Sequence, residues 1–186
     1  MSVQQLRAAD RIPTPWRNGG GITREIAAWP PDATLENFDW RVSMAEVREP
    51  GPFSRFPAVD RVLTILHGTL SLAIAGRPAV TLTPEAPPFH FPGDIACTGE
   101  PIAGPVLDLN VMARRDRFSA EMRRISNADL SVPGTTCLLV ALSPAQVVLV
   151  TSEWHLQPHD ALLLQNESGA ALVTKGAFAL INLSRC

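Results

Sequence analysis

The side chains best suited to bind a metal ion are four histidines, none of which forms an HxH pair. His155 and His159 are four residues apart, a spacing that places two imidazoles on one face of a helix. Pro158 and the apolar, strand-like residues around it favour an extended chain instead. Four residues of extended chain span about 13 Å, which is too far for both rings to bind one ion. The sequence therefore predicts no metal and no other cofactor.

Polar side chains on two apolar strands are better candidates for chemistry. In the stretch Trp40–Met44 apolar and polar residues alternate, so Arg41 and Ser43 share one face of a half-buried strand. Asp108 and Asn110 share one face of a second predicted strand. If both faces point into one barrel, polar groups converge in an apolar interior, where they need partners. A ligand carboxylate would satisfy Arg41 through a bidentate contact, and a structural Arg–Asp network is the equal alternative.

Three consecutive glycines in the segment Pro15–Glu25 permit positive φ and close approach of the backbone. Their free N–H groups are typical of a nest that binds an anion. The residues alone favour the alternative, a barrel corner or bulge. The segment is not a dinucleotide fingerprint, because Arg24 stands where the third glycine would be needed.

The loop Gly51–Pro57 places two phenylalanines and two prolines directly before a predicted strand. This rigid apolar loop is interpreted equally well as the rim of a pocket or as loop packing. Ser54 lies within it, but the GxSxG elbow that exposes a nucleophilic serine is absent. The loop is therefore a candidate for binding rather than for covalent catalysis.

The composition of the 186 residues excludes several classes of protein. Sixteen basic and 18 acidic residues give a net charge of −2, which argues against a protein that binds nucleic acid through its phosphates. The single lysine, Lys175, follows a threonine, so there is no phosphate-binding GxxxxGK loop. Three widely spaced cysteines indicate neither a zinc ribbon nor a disulfide framework. No signal peptide or membrane-spanning run is visible, so we expect a cytoplasmic protein without membrane contact.

Short apolar segments separated by glycine and proline predict an all-β protein, a barrel or a sandwich. A turn is predicted at His67–Thr69. The segment Phe118–Ile125 has both helical and strand spacing, and the absence of a capping box favours a strand. Five arginines between residues 114 and 124 are interpreted as a solvated edge strand. The other predicted strands are Trp40–Met44, Arg61–Leu66, Leu70–Ala75, Val80–Leu82, Phe89–Phe91, Val106–Met112, Cys137–Leu142, Val147–Ser152, Ala161–Gln165, Ala171–Thr174 and Phe178–Leu183.

The order of these segments is typical of a cupin barrel. Arg61–Gly76 followed by Pro92–Asp94 resembles one cupin half, and Val147–Ile181 resembles a degenerate second copy. Two such halves predict a cupin-type β-barrel or sandwich, a compact bicupin in one domain of residues 1–186. Its approximate lobes are residues 1–115 and 116–186, and pairing of N-terminal strands with the C-terminal lobe is a further expectation.

Six sequence blocks resemble the HutD/Ves family and follow the order of that family through the first two thirds of the chain. The blocks are Trp16–Ile26, Trp40–Val47, Gly51–Pro57, Asp60–Arg61, Phe91–Asp94 and Asp108–Arg115. The resemblance implies a cupin-type bicupin with one ligand pocket and an association with bacterial histidine utilisation. It further implies a modulator that senses a carboxylated pathway metabolite such as urocanate or formylglutamate.

The family pattern, combined with the facing of the strands, assigns eight ligand-binding positions. They are Asn18, Thr23, Glu25, Arg41, Ser43, Ser54, Asp108 and Asn110. No catalytic residue is assigned, because a metal-poor barrel with polar interior groups is better equipped to bind than to catalyse. The chain departs from the family at Ala58, where a glycine is usual, and at His67, where an acidic residue is usual.

Two other interpretations stay open. A metal-dependent cupin enzyme, an isomerase or an oxygenase, would use His67, His90 and Asp94 as its metal ligands. An assembly module would use a sheet edge and no pocket. Because cupins often pair through sheet edges, where unpaired backbone groups are available, a homodimer is a further expectation.

Overall fold

The structure, a computed structural model, describes residues 2–132, 136–149, 152–166 and 169–186. Within these ranges the chain forms 17 strands and one 3-10 turn, Ala8–Asp10, and contains no α-helix. The strands are β1 (Ser2–Leu6), β2 (Pro13–Pro15), β3 (Gly21–Trp29), β4 (Trp40–Val47), β5 (Gly51–Pro52), β6 (Val59–Ile74), β7 (Val80–Leu82), β8 (Phe89–Pro92), β9 (Cys97–Arg114), β10 (Phe118–Ser126), β11 (Asp129–Ser131), β12 (Thr136–Ala141), β13 (Ala145–Leu149), β14 (Ser152–Leu156), β15 (Ala161–Gln165), β16 (Ala171–Lys175) and β17 (Ala177–Arg185). The predicted all-β class is confirmed. No helix in the described ranges has the length and apolar character needed to cross a membrane.

Internal contacts divide the chain into two compact units. The N-terminal unit comprises Ile12–Ser119 and Cys186, and the C-terminal unit comprises the residues up to Arg11 together with Ala120–Arg185. The N-terminal unit contains an eight-stranded sheet in the order β2-β3-β4-β9-β6-β7, with β5 added to β9 and β8 added to β6. β6 and β9, of 16 and 18 residues, pair with each other along most of their length. This long antiparallel pair positions the side chains of the candidate site.

The C-terminal unit is built from two sheets. Five strands follow the order β1-β15-β12-β17-β10, and four strands follow the order β11-β16-β13-β14. Leu139, Leu162 and Phe178 from the first sheet pack in one apolar cluster with Val147 and Leu156 from the second. Each of these five side chains is at most 1% exposed. The alternation of apolar residues along the strands therefore produces a filled core in this unit.

The turn predicted at His67–Thr69 is wrong. β6 continues through this segment, and its register against β9 shifts on either side of His67. Gly68 has a φ of +81°, and a Cβ on it would lie 2.8 Å from the carbonyl oxygen of Pro105. The glycine therefore forms a bulge pressed against the neighbouring strand, whereas a glycine after an apolar run suggested a hairpin.

Most other predicted strands match observed strands within a few residues. Val80–Leu82 and Ala161–Gln165 coincide with β7 and β15, and the ambiguous segment Phe118–Ile125 is confirmed as a strand within β10. The predicted strand Val147–Ser152 includes residues 150 and 151, which lie outside the described residues. Strands β1, β2 and β3 were not among the predicted segments, although β3 contains half of the glycine-rich motif.

The five arginines between residues 114 and 124 do not form one solvated face. Arg115 pairs with Asp60 and Asp94 at 2.6 and 2.8 Å, and Arg117 pairs with Asp39 at 2.5 Å. Four of the five arginines are exposed, but only the last two lie on β10, an outer strand of its sheet. The edge-strand interpretation therefore holds for these two positions, whereas Arg115 and Arg117 are solvated outside the edge strand and paired with carboxylates.

β4 and residues 108–113 of β9 are buried on both faces, whereas the alternation in Trp40–Met44 predicts a half-buried strand. Val42 and Leu109 on one face are 0% exposed, and Ser43 and Asp108 on the other face are 2% exposed. The face that looks hydrophilic in the sequence is thus interior. A buried polar face needs hydrogen-bond partners, which makes this surface the place to look for a ligand.

Ala58 has a φ of +58° in the turn before β6. A residue with a Cβ is strained in this left-handed conformation by about 1–2 kcal/mol. Glycine removes the strain but loses more backbone entropy on folding, which offsets part of the gain in stability. We expect Ala58→Gly to raise the free energy of unfolding by about 0.5–1 kcal/mol, measured by denaturant titration.

A matched control for this substitution is Gly76→Ala. Gly76 has a φ of +78°, and a Cβ on it would meet no atom within 4 Å, so the added methyl tests backbone strain alone. We expect the control to lose about 1 kcal/mol. A decrease in stability for Ala58→Gly would contradict the assignment of strain to position 58.

Candidate functional site

The candidate site occupies one face of three neighbouring strands in the N-terminal unit. β9 lies between β4 and β6, and residues paired across adjacent strands point to the same face. One row across the strands contains Arg41, Met112 and Arg61. Two further rows follow at two-residue steps, Ser43 with Asn110 and Leu63, then Ala45 with Asp108 and Ile65. The face is therefore polar at one end and becomes apolar along β6.

These rows contribute to the wall of a pocket of about 500 Å³, a volume suited to a small organic molecule. The loop Gly51–Pro57 adds Phe53, Ser54 and Phe56 to the wall. The hairpin between β2 and β3 adds Trp16, whose ring meets that of Phe53 edge to face at 6.1 Å between centroids. The pocket thus combines aromatic walls with a polar floor.

The structure places most of the predicted ligand-binding residues together. Those that line the pocket are Asn18, Thr23, Arg41, Ser43, Ser54, Asp108 and Asn110. The eighth, Glu25, is not part of the lining and instead binds Arg41, with 2.6 Å between Oε2 and Nε. Contact of these residues with a ligand stays a prediction.

Arg61 is a pocket residue that the sequence reasoning did not assign to the site. It is 7% exposed, and its guanidinium carbon lies 5.1 and 5.0 Å from the ring centroids of Phe53 and Phe91. Its Nε donates a hydrogen bond to Oδ1 of Asn110 at 3.2 Å. Burial lowers its pKa, and the charge of Asp108 opposes this effect. The aromatic rings and the amide offset only part of the cost of burying the charge.

No carboxylate oxygen of the described residues lies within 4.0 Å of the Arg61 guanidinium nitrogens. Arginine stays protonated in proteins, so the pocket holds a buried positive charge without a paired anion. A signal for this residue exists in the sequence, because Arg61 shares a strand face with Leu63 and Ile65. A charged residue on an otherwise apolar strand face is rarely buried unless it is paired, so it indicates a binding or structural partner.

Asp108 is the acidic group of the pocket and is 2% exposed. Its Oδ1 is buried and has no hydrogen-bond partner. Burial raises its pKa to about 7, although the charge of Arg61 and a backbone hydrogen bond from Ala45 oppose the shift. A carboxyl group that titrates near neutrality inside a pocket is typical of functional sites.

Arg41 and Thr23 connect the pocket to its outer edge. The Arg41 side chain is 14% exposed, and its partner Glu25 is 46% exposed. Thr23 accepts a hydrogen bond from Nε1 of Trp16 at 2.8 Å, which fixes the indole against the pocket. Only the Nε of Arg41 is engaged by Glu25. The terminal nitrogens of Arg41 therefore stay available for an anion in the part of the chain that the structure describes.

Gly19 and Gly20 lie in the hairpin turn between β2 and β3, and Gly21 is the first residue of β3. The N–H of Gly19 donates to the carbonyl of Trp16 at 3.0 Å, and the N–H of Gly20 donates to Oδ1 of Asn18 at 3.1 Å. These donors are used within the turn and cannot cradle an anion. The alternative interpretation, a corner of the sheet, is the observed one.

The three residues of the metal-enzyme interpretation are not brought together. His90 is paired with Val62 across β8 and β6, and His67 lies five residues further along β6, about 16 Å in extended chain. Asp94 is engaged by Arg115 at 2.8 Å. Within the described ranges, no group of three or more His, Cys, Asp or Glu residues is arranged to hold a metal ion.

The raised pKa of Asp108 makes stability depend on pH. The folded state keeps this proton up to about pH 7, whereas the unfolded chain releases it near pH 4. Between these values the folded state binds more protons, so its stability falls as pH rises. We expect the free energy of unfolding of the wild type, minus that of Asp108→Asn, to fall from pH 4 to pH 7 by up to about 1.4 kcal/mol per unit.

Asp94→Asn serves as a control of opposite sign. The hydrogen bond and charge of Arg115 lower the pKa of Asp94, so its stabilising effect is present above about pH 4 and is lost as pH falls further. Denaturant titrations of the three proteins from about pH 2 to about pH 7 measure both differences, that of Asp94 below about pH 4 and that of Asp108 above it. A flat difference between wild type and Asp108→Asn would contradict the assigned pKa.

The HutD profile matches residues 8–181 of the chain. The chain belongs to the HutD family. The predicted resemblance is confirmed, and it extends well beyond the first two thirds of the chain. A Pseudomonas putida relative, described as an uncharacterized 21.2 kDa protein in the hutC 3' region, is 32% identical over 186 residues, 97% of either chain. Protein Ves of Citrobacter koseri is 35% identical over 161 residues, 82% of this chain and 83% of its own.

Solved structures with a similar fold include a member of the same family. HutD from Pseudomonas fluorescens SBW25 (formate condition) has a TM-score of 0.88 and 30% identity, with 100% of both chains covered. The Escherichia coli protein Ylba has a TM-score of 0.74 at 11% identity, covering 99% of this chain and 90% of its own, and shows the fold alone. The predicted cupin-like β fold is confirmed.

Proposed function

We propose that this HutD-family protein binds a small carboxylate of histidine degradation, of the urocanate or formylglutamate type, and thereby modulates histidine utilisation without catalysing a reaction. The observation that carries the proposal is the buried guanidinium of Arg61 in a pocket of about 500 Å³. No described carboxylate is close enough to pair with it. A ligand carboxylate supplies the missing negative charge.

The chemistry of arginine favours this class of ligand. The planar guanidinium binds a carboxylate through two parallel N–H···O hydrogen bonds, and such charge-assisted bonds are stronger than neutral ones. The Nε of Arg61 is already used by Asn110, so its terminal nitrogens face the remaining space. Arg41 stands in the same row across β9 and offers a second cationic group.

The aromatic walls suit the body of such a ligand. Trp16, Phe53 and Phe56 line the pocket, and flat side chains of this kind pack well against an unsaturated or heteroaromatic group. Leu35 also lines the pocket and is 49% exposed. An apolar ligand body would cover this exposed surface and add hydrophobic stabilisation.

The relatives' names support the link to histidine utilisation. One relative is named for its position in the hutC 3' region, and a solved relative is named HutD. The proposal carries this association to the present chain.

Calorimetric titration of the purified protein with urocanate and with formylglutamate tests the binding claim. We expect saturable binding of at least one of them, and we expect Arg41→Ala to weaken it by about tenfold, because a charged hydrogen bond contributes about 1.5 kcal/mol or more. Arg48→Ala is the matched control, since Arg48 pairs with Glu46 outside the pocket lining. No heat with either compound would end the ligand proposal.

A growth experiment tests the modulating role. In a bacterium that degrades histidine and lacks its own family member, we expect this chain to change the growth rate on histidine as sole nitrogen source. An Arg61→Met variant, expressed at the same level, should not reproduce the effect. Equal growth with wild type, variant and empty vector would contradict a role in histidine utilisation while leaving binding itself intact.

A further inference from the structure

We infer that Asp108 accepts a hydrogen bond from the ligand, so that the pocket selects carboxylates that also carry an N–H donor. This inference rests on the proposed function, because it concerns the same pocket. It assigns opposite ends of one ligand to different protein groups: the carboxylate to an arginine and the N–H to Asp108. Asp108 is thereby a residue that determines specificity.

The unpartnered oxygen of Asp108 carries the inference. Asp108 lines the pocket, is 2% exposed, and its Oδ1 has no hydrogen-bond partner in the structure. A backbone hydrogen bond from Ala45 helps to lower the pKa of the carboxyl group, but Oδ1 itself stays without a partner. A buried carboxylate oxygen without a partner loses hydration and gains nothing in return. A donor on the ligand compensates this loss.

Arg61 does not supply the missing donor. No ion pair within 4.0 Å joins it to Asp108 among the described residues, although its charge lowers the pKa of that carboxyl. Its Nε is directed to Asn110 instead. Arg61 therefore keeps its terminal nitrogens for an anion, and Asp108 keeps an oxygen for a donor.

The rows of the sheet separate the two functions in space. Asp108 lies two rows from the row of Arg41, Met112 and Arg61, four residues along β9. Four residues of extended strand correspond to about 13 Å between Cα atoms. The Arg61 side chain shortens this span, because its Nε reaches Asn110, one row from Asp108. A short ligand with its carboxylate and its N–H at opposite ends matches this arrangement better than a simple carboxylate does.

Urocanate and its furan analogue, trans-3-(2-furyl)acrylate, form a matched pair for the test. Both are flat heteroaryl acrylates, but only the imidazole ring carries an N–H. Titrations at pH 8 keep the imidazole neutral, with one N–H, and keep Asp108 ionised and able only to accept. We expect wild-type protein to bind urocanate about 10- to 100-fold more tightly than the analogue.

Substitution of Asp108 identifies the residue that discriminates. Asp108→Leu removes the acceptor, so the affinity ratio between the two compounds should fall to within about threefold of one. Asp94→Leu is the matched control, because Asp94 lies outside the pocket lining, and it should keep the wild-type ratio. If Asp108→Leu fails to fold, the ratio measured on the wild type still tests whether the pocket selects an N–H donor, and equal affinities overturn the inference.

The other outcomes of these titrations separate the selection of an N–H donor from the binding of a carboxylate. Equal affinity of the wild type for both compounds overturns the selection of an N–H donor and leaves the carboxylate proposal standing. Equal affinity accompanied by proton uptake on binding shows instead that a protonated Asp108 donates to the ligand carboxylate. Binding of neither compound, nor of formylglutamate, overturns the proposed function and this inference with it.

Discussion

Arg61→Met is expected to weaken urocanate binding at least about 100-fold while the protein stays folded. The buried guanidinium is the cation that the proposed ligand neutralises, and methionine keeps much of its apolar stem but has no charge or donor. A 100-fold loss corresponds to about 2.7 kcal/mol of binding free energy, a usual value for a desolvated charge pair. Calorimetric titration measures the loss.

The free protein should tolerate this substitution. Removal of Arg61 forfeits two ring contacts, with Phe53 and Phe91, of about 2 kcal/mol each, and a hydrogen bond to Asn110. It also removes a desolvation cost of several kcal/mol that no described carboxylate offsets. We therefore expect the free energy of unfolding to change by less than about 2 kcal/mol.

Arg115→Met provides the comparison. Arg115 pairs with Asp60 and Asp94 on the surface and does not line the pocket. We expect it to leave urocanate affinity within about twofold of the wild type. A variant at position 61 that binds as tightly as wild type would refute the assignment of the ligand carboxylate to the buried arginine.

Gly21→Ala is expected to destabilise the protein by about 3 kcal/mol or more. A Cβ at this position would lie 2.6 Å from the backbone oxygen of Glu46 and 3.0 Å from the ring of Trp16. The first contact is with a paired strand, so β3 and β4 would have to separate. Overpacking commonly costs about 1–3 kcal/mol, and a backbone clash lies at or above the top of that range. Denaturant titration measures the difference.

The neighbouring glycine supplies a close control. A Cβ on Gly20 would meet only the side chain of Asn18, at 3.5 Å, which is ordinary van der Waals contact. We expect Gly20→Ala to change the free energy of unfolding by less than about 1 kcal/mol. Comparable losses at positions 20 and 21 would show that backbone conformation, rather than close approach to β4, requires the glycines.

The strand pattern was predictable because apolar residues alternate in short segments along the chain. Val80–Leu82 and Ala161–Gln165 were located to the residue for this reason. His67–Thr69 was not, because a glycine bulge and a glycine turn look alike in sequence. A bulge and a turn differ in whether the chain beyond the glycine stays paired with the neighbouring strand. Here that strand is β9, whose pairing residues lie more than about 30 positions further along the chain.

The candidate site was predictable where the motif residues lie on paired strands. Arg41, Ser43, Asp108 and Asn110 were expected to converge, and they line one pocket. Whether this shared face enters a barrel was left open by the residues alone, since a single strand does not reveal what covers it. Burial on both faces of β4 and of residues 108–113 of β9 is a property of the assembled unit.

Arg61 escaped assignment because charged residues at the start of a strand are usually exposed. Its burial depends on two rings from other parts of the chain. Phe53 lies in the preceding loop, and Phe91 lies on β8. The choice between an anion nest and a corner at the glycines likewise depends on contacts, because the N–H groups of Gly19 and Gly20 find partners within their own turn. Hydrogen-bond satisfaction of this kind is visible only in three dimensions.

The central claim, that a ligand carboxylate binds the buried arginine, is tested most directly by nuclear magnetic resonance of arginine Nε–H groups during a urocanate titration. Arg61→Met and Arg41→Ala identify two of the three pocket arginine resonances, the third being that of Arg17, and Arg115 serves as an internal reference outside the pocket. The account predicts that the Arg61 resonance shifts saturably with urocanate while that of Arg115 stays in place. Saturable binding that leaves the Arg61 resonance unchanged would contradict the account.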